Sequence, residues 1–356
     1  MSSHVVEVVR VDKVEKHPNA DRLELVYIKG WVSIIQTGQF KVGDLAVYIP
    51  IDSVLPEAMV EKHKLEYLKN GARVRTVKLR GAISQGLLLP PDPGTREGQN
   101  VAAIWGITKW EPPSADFQPR NSPRKATRLR PNPNFARYTD IENIKNFPNV
   151  FEDGERVVIT EKIHGTNARY GMVERHITGL WSRLKTLLFG KWEFVVGSHN
   201  VQLTAFTPKH AKFYAEDVYT KIAKRYRLNE LIPPGYTLYG EIYGKGVQDL
   251  TYGLDDIDVA FFDLKKGERY LSLLELGEFC ADRRLPLAPI LYRGPWSPDL
   301  LGRLTDGASR LSQVEQIREG CVVRPEIEAN HFRVGRKILK SVSADYLLRK
   351  NGTEFH

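Results

Sequence analysis

Two domains of different class are expected: a small closed barrel of short strands, then a larger α+β domain. Three observations predict this. Residues 4 to about 111 carry five or six short β-branched or aromatic runs separated by glycine turns. The next stretch holds Pro112, Pro113, Pro119, Pro123, Pro131 and Pro133, a density that regular structure does not tolerate. From Tyr138 onward, strand-like runs alternate with stretches of helical spacing. The boundaries read 1-111, 112-136 and 137-356.

In the first domain, Val5–Val9, Leu23–Ile28, Trp31–Ile35, Leu45–Ile49, Arg73–Leu79 and Leu87–Leu89 are the strand candidates. The stretch His17-Pro18-Asn19-Ala20-Asp21-Arg22-Leu23 resembles the opening of the tRNA-binding type of OB-fold. Such barrels bind single strands through basic and aromatic side chains. Tyr27, Trp31, Arg73, Arg75, Lys78 and Arg80 are candidates for that face, and solvated surface charge accounts for the basic ones about equally well. In the proline-rich segment, Arg120, Arg124, Lys125, Arg128 and Arg130 either track a phosphate backbone or keep a linker extended and soluble.

The second domain opens with a short capped helix expected over Thr139–Ile144. The apolar run Val157–Thr160 follows as a strand ending at Lys162. Residues 174–192 space Leu180, Trp181, Leu184, Leu187 and Leu188 helically, as an amphipathic insertion. Thr207-Pro208 opens a long helix whose buried side takes Ala211, Tyr214, Val218 and Ile222. Tyr236–Glu241 and Asp258–Leu264 are strands. Ser272 and Glu275 form a capping box for a helix through Cys280, and Ser297-Pro298 starts another. Strands over Cys321–Arg324 and Phe332–Lys340 precede a last helix over Ala344–Arg349, capped by Ser343.

The bulk properties narrow the classes. The 356 residues carry 52 Lys and Arg against 43 Asp and Glu, a net charge of +9 that suits an anionic partner such as nucleic acid. Cys280 and Cys321 are far apart and outside any Cys-x-x-Cys, which supports neither a disulfide framework nor a zinc site. The start Met1-Ser2-Ser3-His4-Val5 does not read as a signal peptide, and no window approaches a membrane span. A cytoplasmic protein with no membrane association and no evident obligate protein partner is expected.

The chemistry centres on Lys162-Ile163-His164-Gly165-Thr166-Asn167. A lysine at a strand end before a glycine turn can present an amine at the mouth of a pocket. The amine attacks phosphate only when neutral; at an ordinary pKa of about 10.4, roughly one in a thousand is neutral at pH 7.4. Nearby cations shift that balance. Alone, a Lys-x-His-Gly is commonest as a surface turn. Gly240-Glu241-Ile242-Tyr243-Gly244, Glu319-Gly320-Cys321-Val322-Val323-Arg324 and Ile338-Leu339-Lys340-Ser341 follow it in order.

Together these stretches resemble the ATP-dependent RNA ligases of the covalent nucleotidyltransferase superfamily, over roughly residues 138–345. Lys-x-His-Gly, rather than Lys-x-Asp-Gly, points to the RNA side of that superfamily. A barrel placed before the catalytic domain resembles a smaller group of RNA ligases. The resemblance implies an α+β nucleotidyltransferase domain with antiparallel sheets, behind an N-terminal all-β OB-fold barrel. It makes Lys162 the nucleophile, Glu319 a metal-placing carboxylate and Lys340 the second catalytic lysine. His164 would stand near the metal or the triphosphate, through water, and Asn167 and Glu241 near the ribose. Val196–Asn200 resembles the motif that usually reads Ser-Arg, with His199 where the arginine would stand. Glu161, Ile163, Gly165 and Lys337 complete the ATP contacts implied. Strand alternation puts Val259 and Phe261 on one face and Ala260 and Phe262 on the other. Which face meets adenine is open at this point; Val259 and Phe261 are the candidates. The implied cofactors are ATP, as substrate, and Mg2+ or Mn2+. The implied partner is RNA with 5′-phosphate and 3′-hydroxyl ends, joined through lysyl-AMP and adenylylated RNA, in RNA repair. The alternatives are a DNA ligase, a GTP-dependent capping-type enzyme, or a non-catalytic RNA- or tRNA-binding OB-fold protein.

Overall fold

The computed structural model describes residues 4–68, 72–110, 131–176, 187–188, 190–203 and 217–349. The chain divides into two compact units. One comprises Met1–Phe117, Ile141–Val150 and Ala344–His356; the other comprises Gln118–Asp140 and Phe151–Ser343. Two segments inside the expected 137-356 domain therefore cluster with the first unit.

The first unit is built from short antiparallel strands. Leu45–Ile49 pairs with Glu7–Arg10 on one side and Leu87–Leu89 on the other. Lys13–Lys16, Leu23–Ile28 and Trp31–Gln36 form a meander. The Trp31–Gln36 strand buries Trp31, Ser33 and Ile35 and half-buries Val32 and Ile34, the period-2 pattern of a one-sided sheet. The His17-Pro18-Asn19 stretch acts as a latch. The His17 ring donates from Nε2 to the Leu79 carbonyl at 3.0 Å and accepts the Asn19 N–H on Nδ1 at 3.0 Å; Asn19 Nδ2 donates to the Arg80 carbonyl. Those bonds pin the hairpin of Val77–Leu79 and Ala82–Ser84.

Two expectations for this unit change. Arg73 and Trp31 are buried rather than displayed to RNA. Arg73 pairs with Asp52 at 2.5 Å and lies 3.4 Å from the Trp110 ring, and Trp31 Nε1 donates to Asn146. The expected helix over Thr139–Ile144 is instead a short strand, Glu142–Asn143, and a 3-10 turn, Ile144–Asn146. The Asn143 side chain caps that turn by accepting the Lys145 N–H, a local bond that competes with a longer helix.

The second unit holds two antiparallel sheets. In one, the order is Leu339–Val342, Gly320–Pro325, Arg156–Lys162, Ile290–Pro295. Arg156–Lys162 is central and buried on both faces, which is why Val157–Thr160 reads as a continuous apolar run. The other sheet orders Trp192–Ser198, Thr166–Glu174, Tyr236–Gly244, Ile257–Lys266 and Arg269–Tyr270. One face of it packs under helices Val218–Arg225 and Leu273–Arg283, with Tyr170, Leu238, Ile242, Val259 and Phe261 meeting Ile222, Leu276 and Phe279. The Leu273–Arg283 helix starts on the expected Ser272–Glu275 capping box.

The two sheets are bridged by a buried charge cluster. Asp263 takes Arg336 at 2.5 Å, Arg324 at 3.3 Å and the Tyr138 hydroxyl at 2.9 Å, and Arg324 also donates to the Phe262 carbonyl. Each buried charge here has an opposite charge against it, the condition under which burial is tolerable.

The expected Phe332–Lys340 strand is broken. Asn330–His331 and Gly335–Arg336 form a hairpin, and a separate strand begins at Leu339. Gly335, at φ +69°, sits in the left-handed region that a continuous strand excludes. The Val218–Arg225 helix is capped by Asp217; the expected start at Thr207-Pro208 lies outside the described residues. So do most of the 174–192 insertion and Arg120, Arg124, Lys125, Arg128 and Arg130. Among the described residues no helix is long and apolar enough to cross a membrane, and Cys280 and Cys321 are free and buried.

Candidate active site

Lys162 is the last residue of its strand, opposite Gly320 in register. The preceding residue, Glu319, is therefore carried to it: Lys162 Nζ lies 2.5 Å from Glu319 Oε1, with the lysine side chain 21% exposed and the glutamate 2%. Gly320 allows the approach. It has φ +155°, and a Cβ there would collide with the Ser341 carbonyl. Lys340 faces Val322, which faces Thr160. Opposed residues share a face and parity repeats every second residue, so Lys340 and Lys162 project from the same side of this sheet.

The second sheet supplies the other wall. Asn167 faces Glu241, and Glu241 faces Ala260, so these three form one row. The Asn167 Oδ1 is buried with no hydrogen-bond donor among the described residues. Glu241 is pushed up to about 8. Burial is the largest cause, the Glu319 carboxylate adds to it, and Lys162 opposes it. Lys162, Glu319 and Glu241 thus act on one another across the space between the sheets.

This state of Glu241 has a measurable consequence. In the folded protein its carboxyl keeps a proton up to about pH 8, whereas the unfolded chain releases it near 4.5. The stability it contributes is full below the unfolded value and is lost as pH rises through 8. Ligand-free Glu241→Gln should melt level with the parent at pH 4 and roughly 2–4 °C higher at pH 9. An equal gap at both pH values would show that Glu241 is not held protonated.

A loop that the sequence did not single out holds the turn after Lys162. The Gln248 side chain donates to the Gly165 carbonyl, the His164 ring meets Asp249 at 2.7 Å, and the His164 N–H donates to the Tyr252 hydroxyl at 2.7 Å. Gly165 packs so tightly on the Ile242 carbonyl that no side chain fits. The bonded pairs are 83, 85 and 88 residues apart in sequence, and no periodicity or motif marks Asp249 or Tyr252 there.

Several expected contacts lie elsewhere. Val259 and Phe261 face the helices, fully buried in the core, so the opposite face is the one turned to the site. Ala260 and Phe262 pack there with Ile163, Tyr243 and Tyr252. Glu161 points away from Lys162, as adjacent strand residues must, and is held by the Ser309 hydroxyl at 2.5 Å and the Arg310 N–H at 2.7 Å. Burial raises its pKa; those bonds oppose the rise. Lys337 pairs with Glu155 at 2.7 Å, at the far end of the Lys162 strand. Strand pairing lapses at Lys337 and Ile338, so the parity of the Leu339–Val342 strand does not extend back to Lys337. His164, 2% exposed and bound to Asp249, is placed to shape the turn rather than to face an open pocket. His199 sits just past the strand end, 3.1 Å from Asn200 and 3.5 Å from Asp140, and burial lowers its pKa.

Among the described residues no group of three or more His, Cys, Asp or Glu could cage a metal. The donors on offer are hard oxygens: the Glu319 carboxylate on one sheet and the unpartnered Asn167 Oδ1 on the other. That set suits Mg2+ or Mn2+, hard cations that keep waters and need few carboxylates.

An OB-fold domain model matches residues 5–91 and an RNA ligase model matches 155–342, more than half of the chain. A mutant of Naegleria gruberi RNA ligase with ATP and Mn is similar at 25% identity and a TM-score of 0.73, over 97% of this chain and 98% of that one. The same ligase with PPi, and a mutant of it with AMP and Mn, are each similar at 25% identity and a TM-score of 0.70, over 97% and 98% of the two chains. The phenylalanine–tRNA ligase β subunit of Symbiobacterium thermophilum is 30% identical over 125 residues, and this chain spans 13% of its length. With Lys162 paired to Glu319 at its strand end and an RNA ligase model matching more than half of the sequence, the chain belongs to the RNA ligase family.

Proposed function

We propose that this RNA ligase uses ATP to join an RNA 5′-phosphate to a 3′-hydroxyl. Lys162 Nζ forms a bond to the α-phosphorus of ATP and loses its proton; the bond to the β-phosphate oxygen breaks and pyrophosphate leaves. AMP then passes to the RNA 5′-phosphate oxygen, and the RNA 3′-hydroxyl displaces it. The convergence of Lys162, Glu319 and Glu241 carries this reading. The Naegleria gruberi structures with ATP and Mn, AMP and Mn, and PPi support it, since ATP is the substrate and PPi the leaving group of the first step, and AMP is the group transferred. Splitting the reaction through a covalent adduct conserves the energy of ATP on the enzyme.

In this reading Asn167 and Glu241 take the ribose hydroxyls, the Ala260–Phe262 face with Ile163 takes the base, and Lys340 neutralises the departing pyrophosphate. A divalent cation at Glu319 would compete with Lys162 for that carboxylate and neutralise charge developing on phosphate oxygens. The barrel, as residues 1-111, and the 112-136 segment with Arg120, Arg124, Lys125, Arg128 and Arg130 belong to the proposed grip on RNA.

The test is a sealing panel. Purified protein, ATP and Mg2+ or Mn2+ are given 5′-phosphorylated RNA nicks, single-stranded ends, tRNA breaks and matching DNA or hybrid ends. At least one RNA 3′-hydroxyl junction should be sealed at least tenfold faster than its all-DNA counterpart. Sealing of DNA alone, or labelling from GTP in place of ATP, would overturn the proposal.

A further inference from the structure

The hairpin of Asn330–His331 and Gly335–Arg336 is anchored at its stem and carries an exposed phenylalanine at its tip. At the stem, Arg336 pairs with Glu328 at 2.6 Å and Asp263 at 2.5 Å and stacks 3.8 Å from the Tyr270 ring. The Lys337 N–H closes the stem on the Ala329 carbonyl at 2.9 Å. At the tip, Val334 N–H donates to the His331 carbonyl at 3.2 Å, which makes a four-residue turn with Phe332 and Arg333 at its corners. Phe332 is 91% exposed, and the His331 ring lies beside it at 4.6 Å with a 35° tilt.

A phenylalanine held in water forgoes a large hydrophobic gain. A two-stranded hairpin is marginal by itself, and this one is fixed by buried ion pairs, so the ring is kept out rather than left out. The surrounding sequence narrows what covers it. From Ala329 to Ala344 there is no Asp or Glu; Arg336 and Lys337 are taken up by ion pairs, and Arg333 puts a cation in the turn beside Phe332. Aromatic rings interleaved with cations are what single-stranded nucleic acid binds: rings stack on bases, and cations meet phosphates. Resting on the RNA-joining reading above, we propose that Phe332, backed by His331, is a stacking site for an unpaired RNA base, with Arg333 beside it for the adjoining phosphate.

The probe is a 5′-phosphorylated single-stranded RNA with 2-aminopurine at successive positions, titrated into the full chain. Stacking on Phe332 should quench the fluorophore at one position. Phe332→Ala should abolish that quench and weaken binding by about five- to a hundredfold. Phe332→Trp should restore both, and Phe332→Leu, apolar without a π-face, should restore neither. Transfer of AMP from ATP to the protein should be unchanged in all three, which also reports their folding. RNA affinity within twofold of the parent in Phe332→Ala, or full affinity in Phe332→Leu, would overturn the stacking site and point to a protein contact. Failure of the parent to take AMP would instead refute the ligase reading, so the two failures are distinguishable.

Discussion

Lys162→Ala is expected to end the transfer of label from α-labelled ATP to the protein. The parent should take that label with Mg2+ or Mn2+ and take none from γ-labelled ATP, because the γ-phosphate leaves with pyrophosphate. Alanine has no amine to attack with, but it also leaves the 2%-exposed Glu319 without its partner, which costs stability independently of chemistry. Lys162→Arg separates the two effects. A guanidinium can keep the charge beside Glu319 yet stays protonated at any working pH, so this variant should melt near the parent and still take no label. Undiminished label in either variant would dismiss Lys162 as the nucleophile.

Glu319→Ala should slow adenylation by about 10²–10³-fold, the usual loss when a preorganised charge at a phosphoryl-transfer centre is removed. Its carboxylate is buried against Lys162 and is the donor best placed for a divalent cation. His199→Ala should stay within about threefold, since His199 is engaged with Asn200 and Asp140 beyond its strand. Quench-flow measurement of the first step at saturating ATP and metal compares them. Equal losses, or a larger one at His199, would mean that the histidine performs the arginine's part despite its shorter reach.

Much of the site was legible because the reaction needs particular side chains at particular strand ends. Lys162, Glu319 and Glu241 could be named from their motifs, and the capping box at Ser272 from local hydrogen-bond chemistry. Alternation along the 257–266 strand told which residues share a face, but not which face the helices cover. That depends on Ile222, Leu276 and Phe279, whose packing is set by tertiary fit, and it reverses the expectation for Val259 and Phe261. Lys337 was expected among the ATP contacts, but the strand that carries Lys340 begins only at Leu339, and Lys337 is paired with Glu155. The Gln248–Tyr252 loop was invisible because its role is to hold a turn distant in sequence.

The opposed directions of Glu161 and Lys162 bear on how this strand finds its place during folding. In the native frame the acid meets the Ser309 hydroxyl and the Arg310 N–H, and the base meets Glu319. A slip of one residue flips every side chain of a strand to the other side. Here it would set Glu161 against the buried Glu319 and Lys162 against N–H and O–H donors that need an acceptor. The misaligned chain would keep its apolar residues buried, because Val157, Val158 and Ile159 suit either face equally. Hydrophobicity therefore cannot proofread this strand, and the adjacent pair of opposite charges does, with Lys162 doubling as the alignment mark.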